Sequence, residues 1–131
     1  MSYALSTTVT AGFDDTVGAV RTALAEQGFG ILTEFNLAAT LKQKLDVDVP
    51  RQVVLGACNP PLAHAALGVE PSIGLLLPCN VVVRDGADGQ VAVEALDPAV
   101  MVDVTDNEQL RAVADDAATR LRAALATIAG H

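Results

Sequence analysis

Tryptophan is absent from this chain of 131 residues, and aromatic residues make up only 3% of it. The core must therefore be built from valine, leucine, isoleucine and alanine, whose small shapes suit a sheet covered by helices. Recognition of a ligand by an aromatic cage is disfavoured for the same reason. Because 51% of the residues are hydrophobic, the chain can still bury a real core, and its length corresponds to one domain, residues 1–131.

Positive charge is also scarce, with 8 Lys and Arg against 16 Asp and Glu and a formal net charge of −8. Nucleic acids are bound by neutralising phosphates with clustered Lys and Arg, so we expect no nucleic-acid partner. An anionic membrane surface is disfavoured on the same grounds. No run reaches the roughly 18 apolar residues of a membrane span, and the N-terminus carries no basic segment followed by an apolar one. We therefore expect a cytoplasmic protein with no membrane partner, in which the two cysteines are free thiols.

Periodicity predicts a mixture of strands and helices. Alternating or β-branched apolar runs predict five strands, over residues 3–10, 30–35, 51–57, 81–83 and 90–96. Apolar residues spaced by three and four predict four helices, over residues 14–27, 37–45, 60–67 and 105–128. Residues 70–77 suit either a helical turn or an irregular segment, and residues 99–104 are interpreted as a connection. The DGADG turn between the last two strands predicts an antiparallel hairpin with one wet face.

Helix starts are assigned from capping residues. Asp14, Asn36 and Asn59 are each interpreted as an N-cap, because a short side-chain oxygen there can accept a hydrogen bond from the first helical turn. Thr105 with Glu108 three residues later is a capping-box pattern and predicts the start of the long C-terminal helix. The charged outer face of that helix is interpreted as a solvated surface.

The densest chemistry lies between residues 53 and 83, which hold both cysteines, one of the two histidines and four of the six prolines. Cys58 immediately precedes a predicted helix, where unpaired amides and the helix dipole favour a thiolate. A nucleophilic or redox-active thiol is one interpretation. The preferred alternative is a buried cysteine that acts as a small apolar filler.

A metal site could recruit Cys58, His64 and Cys79, with Glu70 or water as a fourth ligand. The spacing argues against it, because the cysteines are 21 residues apart and neither has a CxxC partner. Regular alternation also places Cys58 and Cys79 on opposite faces of their strands, so only a break at a strand end would bring the thiols together. We expect no metal and no cofactor.

The remaining candidates carry weaker signals. A lone His64 in a short helix is interpreted as a surface or hydrogen-bonded residue in preference to a catalytic base. Ser72 has no nucleophile-elbow pattern around it. Glu34, on the predicted polar face of the second strand, is interpreted as an exposed glutamate, with entry into a pocket as the alternative.

The segment GACNPPLAHAALGVEPSIGLLLPCNVVV, followed by the ALDP turn and the C-terminal helix, resembles the bacterial and archaeal family called domain of unknown function 302. The resemblance covers residues 8–128 and singles out Cys58, Asn59, Pro60, Cys79 and Asn80. It implies an α+β fold like that of the TATA-binding protein, with a β-α-β(4)-α core, a curved antiparallel sheet and a long C-terminal helix packed across it. The short predicted helices are then insertions. The resemblance also implies a homodimer and supplies no established reaction.

Two functional hypotheses follow. In the first, the protein is a homodimeric small-molecule-binding or interaction module with its site at the ACNP and LPCN turns. In the second, it is a thiol-dependent redox protein or enzyme, with Cys58 as the attacking thiolate and Cys79 as its resolving partner. Whether it is an enzyme stays open, and we favour the first hypothesis. The predicted ligand-binding residues are Cys58, Asn59, Pro60, His64, Cys79, Asn80 and Glu34.

Overall fold

The computed structural model describes residues 2–129. Its five strands are Ala4–Val9 (β1), Gly30–Asn36 (β2), Gln52–Cys58 (β3), Cys79–Asp85 (β4) and Val91–Leu96 (β5). They form one antiparallel sheet in the order β1-β5-β4-β3-β2. All five predicted strands are confirmed, with boundaries that shift by a few residues.

The helices are Phe13–Glu26 (α1), Leu37–Leu45 (α2), Pro60–Val69 (α3), Ala99–Thr105 (α4) and Arg111–Ala129 (α5). Short 3₁₀ turns cover Ile73–Leu76 and Glu108–Leu110. Helices α1 and α5 pack against each other and against the sheet. The fold is therefore α+β with a long C-terminal helix, as predicted, and α2, α3 and α4 are insertions into the β-α-β(4)-α core.

The main core lies between the sheet and the pair α1 and α5. Alternation along the strands sends Leu55, Val81 and Val93 to this face, and each is at most 1% exposed. Helix α5 contributes Leu121, Ala124 and Ile128 to the same core. The absence of tryptophan is thus compensated by close packing of small aliphatic side chains.

The opposite face of the sheet is more open. The register of the central strands brings Phe35, Val54, Val82 and Glu94 side by side on this face. Helix α2 contacts β2 and β3, whereas Phe35 is 49% exposed and Val82 is half-buried. This surface, which we call the open sheet face, therefore leaves apolar side chains in contact with solvent. No helix within residues 2–129 has the length and apolar character to cross a membrane.

Two predicted helix starts are wrong. Gly12 is the N-cap of α1, and Asp14 lies within the first turn, because burial of Phe13 extends the helix to that residue. The capping box is not formed at Thr105, which is the last residue of α4 and donates its hydroxyl to the Met101 carbonyl oxygen at 2.6 Å. Helix α5 begins at Arg111, after a 3₁₀ turn.

The segment predicted as a connection, residues 99–104, belongs to helix α4. Its Met101 and Val102 are 3% and 2% exposed and form a second, smaller core with residues of α3, the Ile73–Leu76 turn and α5. The buried residues at 98, 101 and 102 are spaced by three and four, as in a helix. This spacing is the sequence signal for α4, but the segment is too short for the signal to be decisive. The fold therefore has two cores, joined where α3 and α4 meet α5.

Strand β2 departs from simple alternation. A bulge lies between Ile31 and Thr33, so that Ile31 pairs with Ala57 and Glu34 pairs with Leu55. Because one extra residue reverses the side-chain parity, Ile31 and Glu34 share a face. Simple alternation over residues 30–35 predicts that Ile31, Thr33 and Phe35 share a face, and the bulge makes this prediction wrong for Ile31.

Candidate functional site

The end of strand β3 brings the two cysteines into one place. Ala57 pairs with Cys79 across β3 and β4, and Cys58 is the last residue of β3. Asn59, the N-cap of α3, follows Cys58 directly, so the end of β3 lies beside both α3 and the start of β4. Cys58 and Cys79 both line a single cavity, and both are free thiols.

This cavity, which we call the thiol cavity, has a volume of about 30 Å³. Its walls come from β3, α3, β4, α4 and α5, and it lies where the two cores meet. Apart from the cysteines and Asn59, its lining side chains are apolar, with Met101 contributed by α4 and Val113 and Ala117 by α5. Segments distant in sequence thus converge on a small apolar space that contains sulfur.

Asn59 shapes the mouth of the cavity by capping α3. Its Oδ1 accepts a hydrogen bond from the Leu62 N–H at 3.2 Å, and its carbonyl oxygen accepts one from the Ala63 N–H at 2.9 Å. Pro60 and Pro61 occupy the first two helical positions and have no N–H. The first three residues of α3 therefore offer no free amide donor, in contrast to the unpaired amides expected beside Cys58.

The two thiols differ in exposure. Cys79 is 8% exposed, whereas Cys58 is half-buried. Burial raises the pKa of the Cys79 thiol above its ordinary value, and the neighbouring Cys58 raises it further. Cys79 is therefore a neutral thiol, and hence a weak nucleophile, at neutral pH.

Two of the predicted ligand-binding residues lie on other surfaces. Asn80 is exposed and lines a groove on the open sheet face together with Tyr3 and Val82. Glu34 forms an ion pair with Arg21 of α1, and both side chains are more than two-fifths exposed. Neither residue lines the thiol cavity.

His64 and Pro60 are both exposed on α3 and are also outside the cavity lining. Of the seven predicted ligand-binding residues, three line the thiol cavity, namely Cys58, Asn59 and Cys79. Met101 was missed because its helix was interpreted as a connection.

The four-ligand metal set considered from the sequence is not assembled. Within residues 2–129, no three His, Cys, Asp or Glu side chains are grouped so as to hold a metal ion. Glu70 instead accepts a hydrogen bond from Asn107 Nδ2 at 3.0 Å. These four residue types do not include methionine, and Met101 also lines the thiol cavity.

Comparison with known proteins gives the family. The model of the family described as "Domain of unknown function DUF302" matches residues 5–128, and the chain belongs to this family. The chain is also similar to the uncharacterized conserved protein DUF302 from Bacillus stearothermophilus, whose crystal structure matches with a TM-score of 0.90 and 27% sequence identity. That match covers 97% of this chain and 98% of the other. No curated protein matches the chain.

Proposed function

We propose that this protein is a homodimeric binding module that holds a ligand of few atoms in the thiol cavity. The observation that carries the proposal is the convergence of five elements on one apolar space that contains two free thiols. Small-molecule sites are typically apolar and concave, with a few polar groups that fix the ligand. Here Cys58, Cys79 and Asn59 supply those groups. Free thiols also support a cytoplasmic location.

The volume of the thiol cavity limits the ligand. A drug-sized molecule needs a pocket on the order of 300–1,000 Å³. A single water-sized group needs roughly 10–15 Å³, so the 30 Å³ of the thiol cavity suit one or two such groups. The ligand is therefore an ion or a molecule of a few atoms.

The chemistry of the lining disfavours an oxyanion. Among residues 2–129, no Lys, Arg or His side chain lines the thiol cavity. The start of α3, which would otherwise bind an anion through free amides, has two prolines and a Leu62 N–H that is already bonded to Asn59. An apolar molecule or a sulfur-binding ion fits this lining better.

The open sheet face supports association with a second copy of the chain. Tyr3 is 70% exposed and Phe35 is 49% exposed, and half-buried Val82 lies on the central strand of the sheet. A groove of about 250 Å³ runs beside Tyr3, Val82 and Leu96. Burial of exposed apolar side chains favours association, and twofold dimers are the commonest symmetric state.

Xenon is a suitable probe for a small apolar cavity. We expect xenon to shift the amide NMR signals of Cys58, Ala63 and Met101 to saturation. The control is Ala63→Leu, which extends a half-buried lining side chain into the space and should abolish those shifts while the fold is retained. Wild-type spectra without saturable shifts at these amides would reject the ligand cavity.

The second candidate function is thiol redox chemistry, and the sharing of one cavity by both thiols favours it. Attack of the Cys58 thiolate on a small disulfide would give a mixed disulfide and release one thiolate. Attack by Cys79 would then close an intramolecular disulfide and release the second thiolate. Titration of both thiols with a disulfide reagent at increasing pH separates the two functions. The binding module predicts an inert Cys79 throughout the neutral range, whereas the redox protein predicts rapid loss of both thiols.

A further inference from the structure

We infer that the thiol cavity binds a soft monovalent metal ion, Cu(I), through the sulfur atoms of Cys58, Cys79 and Met101. The inference rests on the proposed function and names the ligand class of the same site. Its basis is that the three sulfur-bearing side chains, from β3, β4 and α4, line one space. Met101 is 3% exposed, so its thioether is held in place by the packing of the second core.

The combination of ligand types selects among metals. Thiolate and thioether sulfur are soft ligands that favour Cu(I), whereas carboxylates and carbonyls suit Mg²⁺ and Ca²⁺. Structural Zn²⁺ sites almost always have four Cys, His or carboxylate ligands. From the part of the chain that the structure describes, the thiol cavity receives two cysteines, no histidine and no carboxylate. Its chemistry therefore fits Cu(I) better than Zn²⁺.

The size of the cavity agrees with an ion. A volume of 30 Å³ accepts one or two water-sized groups and excludes larger organic ligands. Half-buried Cys58 is the accessible sulfur, while Cys79 and Met101 lie deeper. An incoming ion would contact Cys58 first and then pass to the two buried sulfurs.

The charge balance can be written in full. Cu(I) binding replaces the protons of two thiols, which leave to solvent, and the resulting complex of one cation and two thiolates carries one negative charge. No oxidation state changes in this step. Half-buried Cys58 keeps one of the two thiolates in partial contact with solvent, which stabilises that charge.

The test is an anaerobic titration with Cu(I) in competition with the chromophoric chelator bicinchoninate. We expect one Cu(I) per chain in the wild type, no stoichiometric uptake in Cys58→Ser or Cys79→Ala, and at least tenfold weaker binding in Met101→Leu. His64→Ala is the matched control, because His64 is exposed and outside the cavity, and it should bind Cu(I) as the wild type does. Zn²⁺ offered under the same conditions should not bind stoichiometrically.

Circular dichroism of each variant checks the fold. Met101→Leu conserves volume and Cys58 is half-buried, so these two variants test the site even if Cys79→Ala is unstable. Three results would overturn the three-sulfur site. They are failure of the wild type to withhold Cu(I) from the chelator, binding of Cu(I) to Met101→Leu as tightly as to the wild type, and binding of Zn²⁺ as tightly as Cu(I). If Cu(I) fails while the xenon shifts persist, only the metal assignment is rejected. If both fail, the proposed function is rejected as well.

Discussion

Gly56 in β3 packs directly against Thr33 in β2, and a Cβ atom at position 56 would overlap Thr33 Oγ1 and lie 2.7 Å from Pro78 Cγ. The bulge in β2 brings Thr33 opposite Gly56. Pro78 precedes Cys79, so the close contact also positions the start of β4. The lack of a side chain at position 56 is thus needed for the local geometry that places Cys79 in the cavity.

We predict that Gly56→Ala lowers the free energy of unfolding by about 1–3 kcal/mol, the usual cost of overpacking. Gly18→Ala is the matched control. Gly18 lies in α1 and a Cβ there would have no neighbour within 4 Å, so this change should stabilise the protein by about 0.5–1 kcal/mol through helix propensity. Urea unfolding measures the change in unfolding free energy for both variants. Equal effects of the two substitutions would contradict the close packing at Gly56.

The two asparagine N-caps allow a second comparison. Asn59 is 8% exposed and caps α3, whereas Asn36 is exposed and caps α2 by accepting from the Ala39 N–H at 2.9 Å. We predict that Asn59→Ala costs about 1–2 kcal/mol and Asn36→Ala about 0.5–1 kcal/mol, because the buried hydrogen bond loses its partner without replacement by water. Urea unfolding at one protein concentration gives both values, and the reverse order would refute this assignment.

The raised pKa of Cys79 predicts a loss of stability at alkaline pH. A thiol whose pKa is raised by folding holds its proton more tightly in the folded state. The contribution of the Cys79 thiol to the free energy of unfolding is therefore complete below about pH 8.5, where a thiol in the unfolded chain is still protonated. This contribution is lost as the pH rises through the higher pKa of the folded state. The measurement is the difference in unfolding free energy between wild type and Cys79→Ala, from neutral pH to about pH 10. This difference should shrink with pH, and a constant difference would show that burial leaves the Cys79 thiol unperturbed.

The proposed dimer predicts a specific response on the open sheet face. Light scattering at micromolar concentration should give about twice the 13.5 kDa chain mass. Val82→Arg places a charge at the centre of this face and should produce a monomer, because burying a charged side chain at an interface core is costly. Leu75→Arg is the control, since Leu75 is 87% exposed and lies outside the groove. A wild-type monomer, or a dimer that survives Val82→Arg, would reject this interface.

Much of the fold could be predicted from local signals. The strands follow from β-branched alternation, and α2 was predicted with its observed bounds because Asn36 supplies an unambiguous cap. The apolar spacing of α5 also predicts its buried face, including Leu121 and Ile128. Arg120 shows the limit of such patterns, because it lies on the charged outer face that the sequence predicts to be solvated, yet it donates to the Gln27 carbonyl oxygen at 3.2 Å.

The site could be predicted only in part. Cys58, Asn59 and Cys79 were identified from their types and motifs, but alternation placed the two cysteines on opposite faces. Both line the thiol cavity because it lies at the end of the sheet, where β3 is followed by α3 and is paired with the start of β4. Met101 reaches the cavity through packing between helices distant in sequence, and local periodicity carries no information about such a contact.

The position of β1 has a consequence for synthesis on the ribosome. β1 is at the edge of the sheet, and its strand partner is β5, with Ala4 opposite Leu96. Strands β2 to β5 are paired in the order of their translation, whereas β1 has no strand partner until residue 96 has left the exit tunnel. At roughly 5–20 residues per second, the first strand therefore waits for several seconds with its backbone unpaired. Strand β5 is the last to be translated and lies between β1 and β4, so β1 enters the sheet only when β5 does.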